Sequence, residues 1–405
     1  MNIWIINETI GSRIHGMVFR PYYFAKEFVK KGHEVVIFSG SFSHVYSNLP
    51  QVDGNTKKEM IDGIEYCWIK TPKYKRSQSI GRIFNAFVYV LKLFLINKKE
   101  FGKPDVIIVT SPTPFSIING YYYKKKFNAK LIFEVRDIWP LTLTEIGSIS
   151  KRHPFVVFTQ FFENFSYKVS DCVVSVLPIS KNHMMAHGMK EDKFAYIPNG
   201  IDVQGGCNTK DIDPQVKKLI PENKFLVMYA GKFGISNALE YLFFAAQKLK
   251  NNDRIHIVIA GDGSEKERFL KFKEEEKLEN VTFIDPVKKE QVPSLLSFAD
   301  AFYIGRHKNS LYKHGISPNK LFDYMYAGKP IIHSIQIESN DPVKEAEAGV
   351  SVEPENSNAI ADAVLQLYNT PENERIEMGK KGKEYILVNH TYEKLAEKYL
   401  QLFHE

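Results

Sequence analysis

Short apolar runs alternate with amphipathic stretches along the first half of the chain. "NIWII" (2–6) precedes a helical stretch near Pro21, where apolar side chains share one face and Gly32 marks the end. Further apolar runs follow at "EVVIFS", "DVIIVTSP", "KLIFEVRD" and "DCVVSVL". Because these runs are β-branched and nearly uninterrupted, they predict strands buried on both faces, and therefore a parallel sheet with helices on either side.

A junction rich in glycine, proline, asparagine and aspartate lies at 196–215, and the same alternation restarts after it. The later runs are "KFLVMYAG", "RIHIVIAGDG", "NVTFID", "DAFYIG" and "KPIIHS". Two such series predict an α/β protein with two doubly wound, Rossmann-like domains and ligands in the cleft that the domains face. We predict domains at 1–200 and 201–385. We predict a C-terminal helix at 386–405, which is a candidate for packing back onto the first domain.

Composition supports an ordinary folded protein. The chain has 405 residues, too many for one core, with 44% hydrophobic and 25% charged residues. Its three cysteines lie far apart without metal-ligand spacing, which fits a reducing compartment. The N-terminus has neither a basic region nor a long apolar run, so we expect no signal peptide and a cytoplasmic location.

Much of the net charge of +7 lies in residues 70–103, around an apolar middle. Arg82, Asn85 and Lys92 interrupt this middle, and the apolar run is short for a bilayer span. Basic flanks around an apolar helix favour a helix that lies on an anionic membrane surface. The alternative is a core helix with solvated ends. Without an aromatic RNA-binding signature, the charge does not predict a nucleic-acid partner.

The stretch "SPNKLFDYMYAGKP" (317–330) predicts a short helix. Ser317 supplies a hydroxyl cap, Pro318 suits the first helical position, and Gly328 marks the end. Lys320 and Asp323 share one stripe of this helix. Two interpretations remain open: a solvated face, or an anion-binding helix end with an acid that contacts hydroxyl groups.

Two glycine-containing loops follow predicted strands. In "YAGKFGISNALEYL" (229–242), the backbone after Gly231 and Gly234 and the charge of Lys232 are suited to an anion, although a simple tight turn is the alternative. In "AGDG" (260–263), Lys266 occupies the position where a dinucleotide fingerprint requires glycine, which disfavours a dehydrogenase. These glycines still permit close approach to a ligand.

Polar residues also stand at strand ends in the first half. His15 and Gly16 lie between the first strand and the first helix, where doubly wound folds bind ligands. Arg136 and Asp137 end a buried strand as either cleft groups or a structural ion pair. His183 and His187 have the i, i+4 spacing of metal ligands, but no acidic partner is evident, so we interpret them as structural.

Several segments together resemble the retaining nucleotide-sugar glycosyltransferases of family 4, which have the GT-B fold. The resemblance covers nearly the whole chain, and its most specific segments include "IPNGID" (197–202), "AGDG" (260–263) and "SPNKLFDYMYAGKPII" (317–332). "GSRIHGMVFRPYYFA" (11–25) and "FEVRDIWP" (133–140) are similar to the bacterial capsule and O-antigen branch, which includes N-acetylfucosamine transferases.

The resemblance implies roles for the residues above. The Asp323 carboxylate would hold ribose hydroxyls, while Lys320 and its helix N-terminus would stabilise charge on the diphosphate as the glycosidic bond breaks. Gly16 would allow the first domain to close over the phosphates. The catalytic candidates are Lys320, Lys232, Arg136, Asp137 and His15. The donor-binding candidates are Gly16, Gly231, Gly234, Asn237, Gly261, Gly263, Ser317, Asn319 and Asp323, and no metal is expected.

The chain departs from the family pattern at three places. The acid expected eight residues before Asp323 is replaced by Gly315, so its contact is missing or made by His314 or Ser317. The arginine and lysine of the phosphate loop align with Lys232 and Asn237, which leaves one cation absent. A histidine common in the family aligns with Arg136.

The implied activity is retaining transfer of a sugar, an N-acetylated hexosamine or deoxyhexosamine, from a UDP-sugar to a polyprenyl-diphosphate-linked saccharide. It would serve surface-polysaccharide synthesis at the inner face of the cell membrane and need no cofactor besides the donor. Two alternatives are a nucleotide-sugar epimerase and a non-catalytic nucleotide-sugar-binding protein.

Overall fold

The computed structural model describes residues 1–16, 19–75, 79–203, 210–337 and 340–404. Parts of the predicted segments at 11–25, 70–103 and 196–215 lie outside these ranges. The chain divides into two compact units. Unit 1 comprises residues 1–199 and 392–405, and unit 2 comprises residues 200–391.

Unit 1 contains an eight-stranded sheet in the order β3-β4-β2-β1-β5-β6-β7-β8. All neighbouring strands are parallel except the pair β3 and β4. The strands formed by the predicted apolar runs are almost entirely buried, which confirms the α/β interpretation of those runs. The strands are β1 (Asn2–Ile6), β2 (Glu34–Gly40), β3 (Thr56–Ile61), β4 (Ile64–Ile69), β5 (Val106–Thr110), β6 (Lys130–Val135), β7 (Cys172–Ser175) and β8 (Phe194–Tyr196).

The antiparallel hairpin of β3 and β4 was not predicted from the apolar runs. Its two-residue turn is Asp62-Gly63, and both residues have positive φ, 51° and 79°. Asp-Gly between two strands is typical of a type I′ hairpin turn, because both central positions need φ above zero. The Asp62-Gly63 dipeptide is therefore the sequence signal that would have identified it.

Helices cover both faces of the unit 1 sheet. α2, α3 and α5 pack on one face around Trp4, Tyr89 and Phe162, while α1 packs on the other around Phe24 and Phe28. Among the described residues, no helix is both long enough and apolar enough to cross a membrane. The helices are α1 (Phe19–Lys30), α2 (Ile80–Leu95), α3 (Ile117–Phe127), α4 (Leu141–Glu145), α5 (Pro154–Val169) and α6 (Lys181–Ala186).

Unit 2 contains a six-stranded, all-parallel sheet in the order β11-β10-β9-β12-β13-β14. Its strands are β9 (Phe225–Ala230), β10 (Ile255–Ala260), β11 (Val281–Ile284), β12 (Ala301–Gly305), β13 (Ile331–Ser334) and β14 (Gly349–Ser351). Its helices are α7 (Pro214–Lys217), α8 (Glu240–Leu249), α9 (Lys266–Glu275), α10 (Val292–Leu296), α11 (Asn319–Ala327), α12 (Pro342–Glu345), α13 (Ser357–Asn369) and α14 (Glu372–Asn389).

The last helix, α15 (Tyr392–Gln401), belongs to unit 1. Tyr399 makes an edge contact with Phe24 of α1 at a ring-centroid distance of 5.0 Å, and Phe403 lies 5.4 Å from Phe28. Residues 386–389, which we had assigned to the C-terminal helix, form the end of α14 instead.

In each sheet the strand order reverses at one point: between β1 and β5 in unit 1, and between β9 and β12 in unit 2. Loops that leave the carboxyl ends of two such strands turn in opposite directions and leave a crevice, where doubly wound folds bind ligands. In unit 2 these loops begin at Gly231 and Arg306. In unit 1 they begin at Asn7 and Ser111.

Candidate functional site

The crevice of unit 2 is flanked by the loop after β9, the loop after β12 and the start of α11. α11 begins at Asn319, with Pro318 as its N-cap and no side-chain capping hydrogen bond. The prediction placed Pro318 at the first helical position, but Pro318 is the N-cap and the helix starts one residue later. The predicted end is confirmed at Gly328, which has φ 73°.

Lys320 reaches from the first turn of α11 to the β9 loop. Its ammonium group donates to the Tyr229 hydroxyl at 2.5 Å and to Asn237 Oδ1 at 3.0 Å. It also lies 4.2 Å from the centre of the Tyr229 ring. The structure thus brings together two predicted residues, Lys320 and Asn237, that are 83 positions apart.

A second cation, Arg306, meets the same asparagine. Its guanidinium donates to Asn237 Oδ1 at 2.8 Å and to the Ser236 carbonyl and hydroxyl, each at 3.2 Å. Sequence reasoning missed Arg306, although it directly follows β12, at the point where the strand order reverses. Arg306 places a positive charge beside Asn237, the position at which the family resemblance leaves a lysine absent.

The convergence of Arg306 and Lys320 is electrostatically unfavourable by itself. Burial, and then the nearby charge of Arg306, lower the pKa of Lys320 to about 7. The oxygen atoms that these two side chains contact, on Tyr229, Ser236 and Asn237, are all neutral in the described structure. Two partly desolvated cations around neutral oxygens form a site that an anion would stabilise.

Glycines bring the two loops of unit 2 together. A Cβ atom at Gly231 would lie 3.0 Å from Lys320 Nζ, so glycine leaves room for the lysine to cross the loop. At Gly261, with φ 136°, a Cβ would lie 2.0 Å from the Gly231 carbonyl oxygen. At Gly263 it would lie 2.3 Å from the Phe233 carbonyl oxygen. Gly261 and Gly263 are therefore explained by close loop-to-loop packing.

The rest of the β9 loop is held in a fixed shape. The Lys232 carbonyl accepts from the Tyr229 hydroxyl at 2.8 Å and from Asn237 Nδ2 at 2.9 Å. Both bonds are made to the backbone of Lys232, whose side chain is exposed. Gly234 has an ordinary φ of −112°, so its residue type is not explained by backbone strain.

Asp323 lies on α11 one turn beyond Lys320. Its side chain is accessible to water, yet protein atoms crowd the carboxyl group, and this desolvation raises its pKa to about 6 despite the opposing charge of Lys289. Asn319 is exposed beside it, and Ser317 is half-buried.

In unit 1, His15 is packed into its own loop. Its Nδ1 lies 2.9 Å from Ser12 Oγ, its Nε2 lies 3.6 Å from a Glu59 carboxylate oxygen, and its ring contacts Trp68 at 4.6 Å. Burial lowers the pKa of His15. The next residue, Gly16, has φ 89°, and a Cβ there would meet the Ser47 hydroxyl at 2.3 Å. Both residues have evident roles in shaping this loop.

The unit 1 crevice holds a buried polar cluster around Arg136. The Arg136 backbone N–H and Nε donate to the hydroxyl and carbonyl of Ser111, at 2.8 and 2.9 Å. Burial raises the pKa of Glu8, a residue not predicted from sequence, which accepts from the Thr113 hydroxyl and feels the charges of Arg82 and Arg136. Asp137 is exposed at the edge of this cluster. The cluster supplies hydrogen-bonding groups at the carboxyl ends of the strands, where doubly wound folds bind ligands.

The structural interpretation of His183 and His187 rested on the lack of an acidic partner, and this point is wrong. Glu163 of α5 lies beside them, with its Oε1 3.1 Å from His183 Nε2. Because Glu163 is 20 residues away, local spacing did not reveal it.

Two family models match the chain. The model described as Glycosyltransferase Family 4 matches residues 14–204, and the model described as Glycosyl transferases group 1 matches residues 211–385. With the two Rossmann-like units, these matches show that the chain is a glycosyltransferase of the GT-B type.

One curated relative is WcaI of Escherichia coli K12, named for glycosyl transfer in colanic acid biosynthesis. It is 20% identical over 357 residues, which cover 85% of this chain and 87% of WcaI. The chain is thus similar to a polysaccharide-biosynthesis enzyme along most of its length.

Solved structures share the fold. Sucrose-phosphate synthase from Thermosynechococcus elongatus has a TM-score of 0.75 at 17% identity, covering 100% of this chain and 98% of that chain. HepE from Anabaena, in complex with UDP and glucose, has a TM-score of 0.69 at 13% identity, covering 99% of both chains.

Proposed function

We propose that this glycosyltransferase moves a sugar from a UDP-sugar to a lipid-linked saccharide, with retention of anomeric configuration. The single observation that carries the donor half is the convergence of Arg306 and Lys320 on Asn237 Oδ1. A diphosphate would replace repulsion between two cations with charge-assisted hydrogen bonds.

The same contacts suit catalysis as well as binding. When the bond between the sugar and the diphosphate breaks, negative charge grows on the leaving phosphate. Lys320, Arg306 and the exposed Lys232 would stabilise that charge, and the interaction would strengthen in the transition state. The departing phosphate would accept the proton of the acceptor hydroxyl. This mechanism assigns charge neutralisation to side chains, and it needs no metal at the diphosphate.

In this proposal, residues on or just before α11 make the remaining contacts with the donor. The Asp323 carboxylate would accept hydrogen bonds from the ribose hydroxyls, one helical turn from the diphosphate cations. Asn319 and Ser317, at the helix start, would contact the donor near its phosphates. Uridine is supported by HepE, whose structure contains UDP. The N-acetylated sugar is supported by the resemblance to N-acetylfucosamine transferases.

A lipid-linked acceptor is supported by the surface of α2. Ile80, Phe84, Leu91 and Leu95 form a solvent-exposed apolar stripe along the helix, with exposures from 60 to 84%. The opposite side of α2, including Tyr89 and Leu93, is buried in the core. A surface helix that is apolar on both sides leaves one face without a partner.

Exposed apolar residues of α5 extend this stripe. Phe87 of α2 contacts Phe158 of α5 at 5.8 Å, and Val157 and Phe161 are exposed on the same helix. Exposed basic residues precede both helices: Lys73 and Lys75 before α2, and Lys151 and Arg152 before α5. Apolar side chains bordered by cations fit the interface of an anionic membrane.

α2 follows β4, and α5 follows β6 after the short helix α4. Both helices therefore come after the carboxyl ends of parallel strands in the unit 1 sheet. The cluster of Glu8, Arg136 and Asp137 occupies that same edge. We therefore assign acceptor binding to this edge, where a saccharide on a membrane-embedded polyprenyl diphosphate would be within reach. His15 and Gly16 would shape the neighbouring loop. This arrangement fits a peripheral enzyme of surface-polysaccharide synthesis at the cytoplasmic face of the cell membrane.

The donor assignment is tested by thermal unfolding with UDP, GDP, ADP and CMP, each with and without EDTA. UDP at about 100 times its Kd should stabilise the protein by about 2.7 kcal/mol, with EDTA making no difference. Arg306→Ala should abolish most of this shift. Arg254→Ala is the matched control, because Arg254 is exposed just before β10 at the opposite edge of the sheet. A shift that survives Arg306→Ala would contradict the assignment.

Transfer is distinguished from the two alternatives by the reaction products. Membrane extract containing lipid-linked saccharides should convert the UDP-sugar to UDP and a glycosylated lipid, and NMR of the product should show the donor's anomeric configuration. Isomerised UDP-sugar without acceptor would indicate an epimerase. Binding without turnover on any extract would indicate a non-catalytic protein.

Membrane association is tested by co-sedimentation with vesicles at low salt. Wild-type protein should bind vesicles containing phosphatidylglycerol more than vesicles of phosphatidylcholine alone. Phe84→Ser with Leu91→Ser should reduce binding, whereas Ile376→Ser, at an exposed apolar residue of unit 2, should not. Equal binding by all three proteins would exclude α2 as the membrane contact.

A further inference from the structure

Glu163, His183 and His187 form a compact cluster in unit 1, on helices α5 and α6. Each residue offers one ligand atom, and these three atoms all lie within 4.8 Å of one another. The Glu163 carboxylate and His183 Nε2 are 3.1 Å apart, and the two imidazole rings have centroids 4.4 Å apart. The proposed donor and acceptor sites do not use any of these residues.

The electrostatics of the cluster favour a bound cation. The Glu163 side chain is only 3% exposed, and its hydrogen-bond partners Gln160, Tyr167 and His183 carry no permanent positive charge. A buried carboxylate is costly unless it is paired with a cation or coordinates a metal. The two imidazoles beside this carboxylate each offer a nitrogen atom that can bind a metal ion.

The dimensions of the cluster fit a transition metal. Zinc bonds to nitrogen and oxygen are about 2.0 to 2.2 Å, so adjacent donor atoms in a tetrahedral site are about 3.4 Å apart. The 3.1 Å separation between Glu163 and His183 is already near this value, and a pair of ligand atoms at the 4.8 Å limit would have to approach by about 1.4 Å. Two imidazoles and a carboxylate suit zinc, nickel or cobalt rather than magnesium or calcium.

Surrounding residues orient the three ligands. Tyr167 donates to Glu163 Oε1 at 2.8 Å, and Gln160 lies within hydrogen-bond distance of both Glu163 Oε2 and His187 Nδ1, at 2.5 and 2.9 Å. Asn164 Oδ1 is 3.1 Å from His187 Nδ1. Outer contacts of this kind fix the orientation of imidazole and carboxylate ligands in metal sites.

We propose that Glu163, His183 and His187 bind one divalent transition-metal ion that joins α5 to α6. The three protein ligands leave a fourth position for water, and the half-buried histidines give the ion access from solvent. α5 precedes β7 in the sequence and α6 follows it, so the ion would link the helix before this strand to the helix after it. This site is independent of the donor assignment in unit 2.

The test uses tag-free, full-length protein treated with EDTA and then titrated with Co²⁺ or Zn²⁺. Wild type should bind one ion per chain, show cobalt d–d absorption bands and gain thermal stability with zinc. Glu163→Gln and His183→Gln/His187→Gln should lose all three effects. His404→Gln, at an exposed histidine of unit 1, should keep them.

Asn164→Ala gives a milder variant that leaves the three ligands intact. It should weaken cobalt binding by about 10-fold, because it removes a contact that orients His187. The proposal is overturned if wild type binds no ion at 100-fold excess of metal, or if Glu163→Gln, with unchanged metal-free unfolding, still binds one ion with the same absorption bands. Loss of metal binding with a retained UDP shift would separate this site from the donor site.

Discussion

Arg306 Nη1 and Lys320 Nζ both donate to Asn237 Oδ1, at 2.8 and 3.0 Å, so one neutral oxygen contacts a cation from a loop and a cation from a helix. Arg306 follows β12 and Lys320 lies in the first turn of α11, and neither is near Asn237 in sequence. This arrangement places a second positive charge next to Asn237, the position where the family resemblance leads us to expect a lysine. In the proposed donor site, Arg306 would supply this charge to the diphosphate.

Moving the cation should test whether its charge or its sequence position matters. Arg306→Ala should lower turnover by about 10²- to 10³-fold, the usual effect of removing one group that stabilises developing negative charge. Arg306→Ala with Asn237→Lys should recover part of this loss, because the new ammonium group starts from the residue that Arg306 contacts. Initial rates at saturating acceptor measure both effects. If the double variant is no faster than Arg306→Ala, the simple charge-replacement argument is wrong.

Lys320 should couple UDP binding to proton uptake. Since its pKa in the ligand-free protein is about 7, it is largely neutral at pH 8, and a bound diphosphate should raise that pKa and draw a proton from solution. Calorimetry at pH 8 in two buffers of different ionisation enthalpy should show uptake of nearly one proton per UDP. Lys320→Met should abolish this uptake and lower kcat more than it raises KM. Unchanged uptake in Lys320→Met would assign the proton to another group.

Lys320 should also make the stability of the ligand-free protein depend on pH. A lysine whose pKa falls from 10.5 to about 7 on folding binds more protons in the unfolded chain between these values, so its contribution to stability improves as pH rises through that window. Lys320→Met should therefore stabilise the ligand-free protein most below pH 7, and the gain should disappear toward pH 10.5. Urea unfolding at pH 6, 8 and 10 measures this difference, with Lys250→Met as an exposed control. Equal gains at all three pH values would mean that the charge is not responsible.

Asp323→Asn should separate stability from function. The carboxyl pKa is raised from 3.8 to about 6, so the folded protein binds more protons between these values and stability falls as pH rises across them. Above pH 6 the variant should be more stable than wild type, and the difference should vanish near pH 4. UDP should bind the variant about 10- to 100-fold more weakly, the usual worth of a hydrogen bond to a charged group. Unchanged UDP affinity would remove Asp323 from the ribose site.

Glu8→Gln should affect the acceptor side alone. The buried Glu8 carboxyl has a raised pKa, so its contribution to stability falls as pH rises above 4.5, and the amide variant should be at least as stable as wild type at neutral pH. Turnover with the lipid-linked acceptor should fall, while the thermal shift with UDP should stay unchanged. A weaker thermal shift with UDP would contradict an effect of Glu8 on the acceptor side alone.

The sequence by itself determined the class of fold and most of helix α11. Apolar runs alternating with amphipathic stretches predicted the main parallel strands, since burial on both faces requires uninterrupted apolar residues. The turn signals around Gly328 correctly located the end of α11. Lys320 and Asp323 were found because they share one side of that helix, and side chains within one helix follow a fixed period.

The tertiary structure alone decided which residues meet. Asn237 and Arg306 are 69 positions apart, and Glu163 and His183 are 20 apart, so local periodicity cannot relate them. The order of strands in the unit 2 sheet brings the loops of Asn237 and Arg306 together, whereas Glu163 and His183 meet because α5 and α6 lie side by side. Both arrangements depend on long-range packing. The same packing explains Gly261, whose missing side chain admits the neighbouring loop. Local sequence fixes each element and its buried face, whereas the charge of a site depends on contacts between elements.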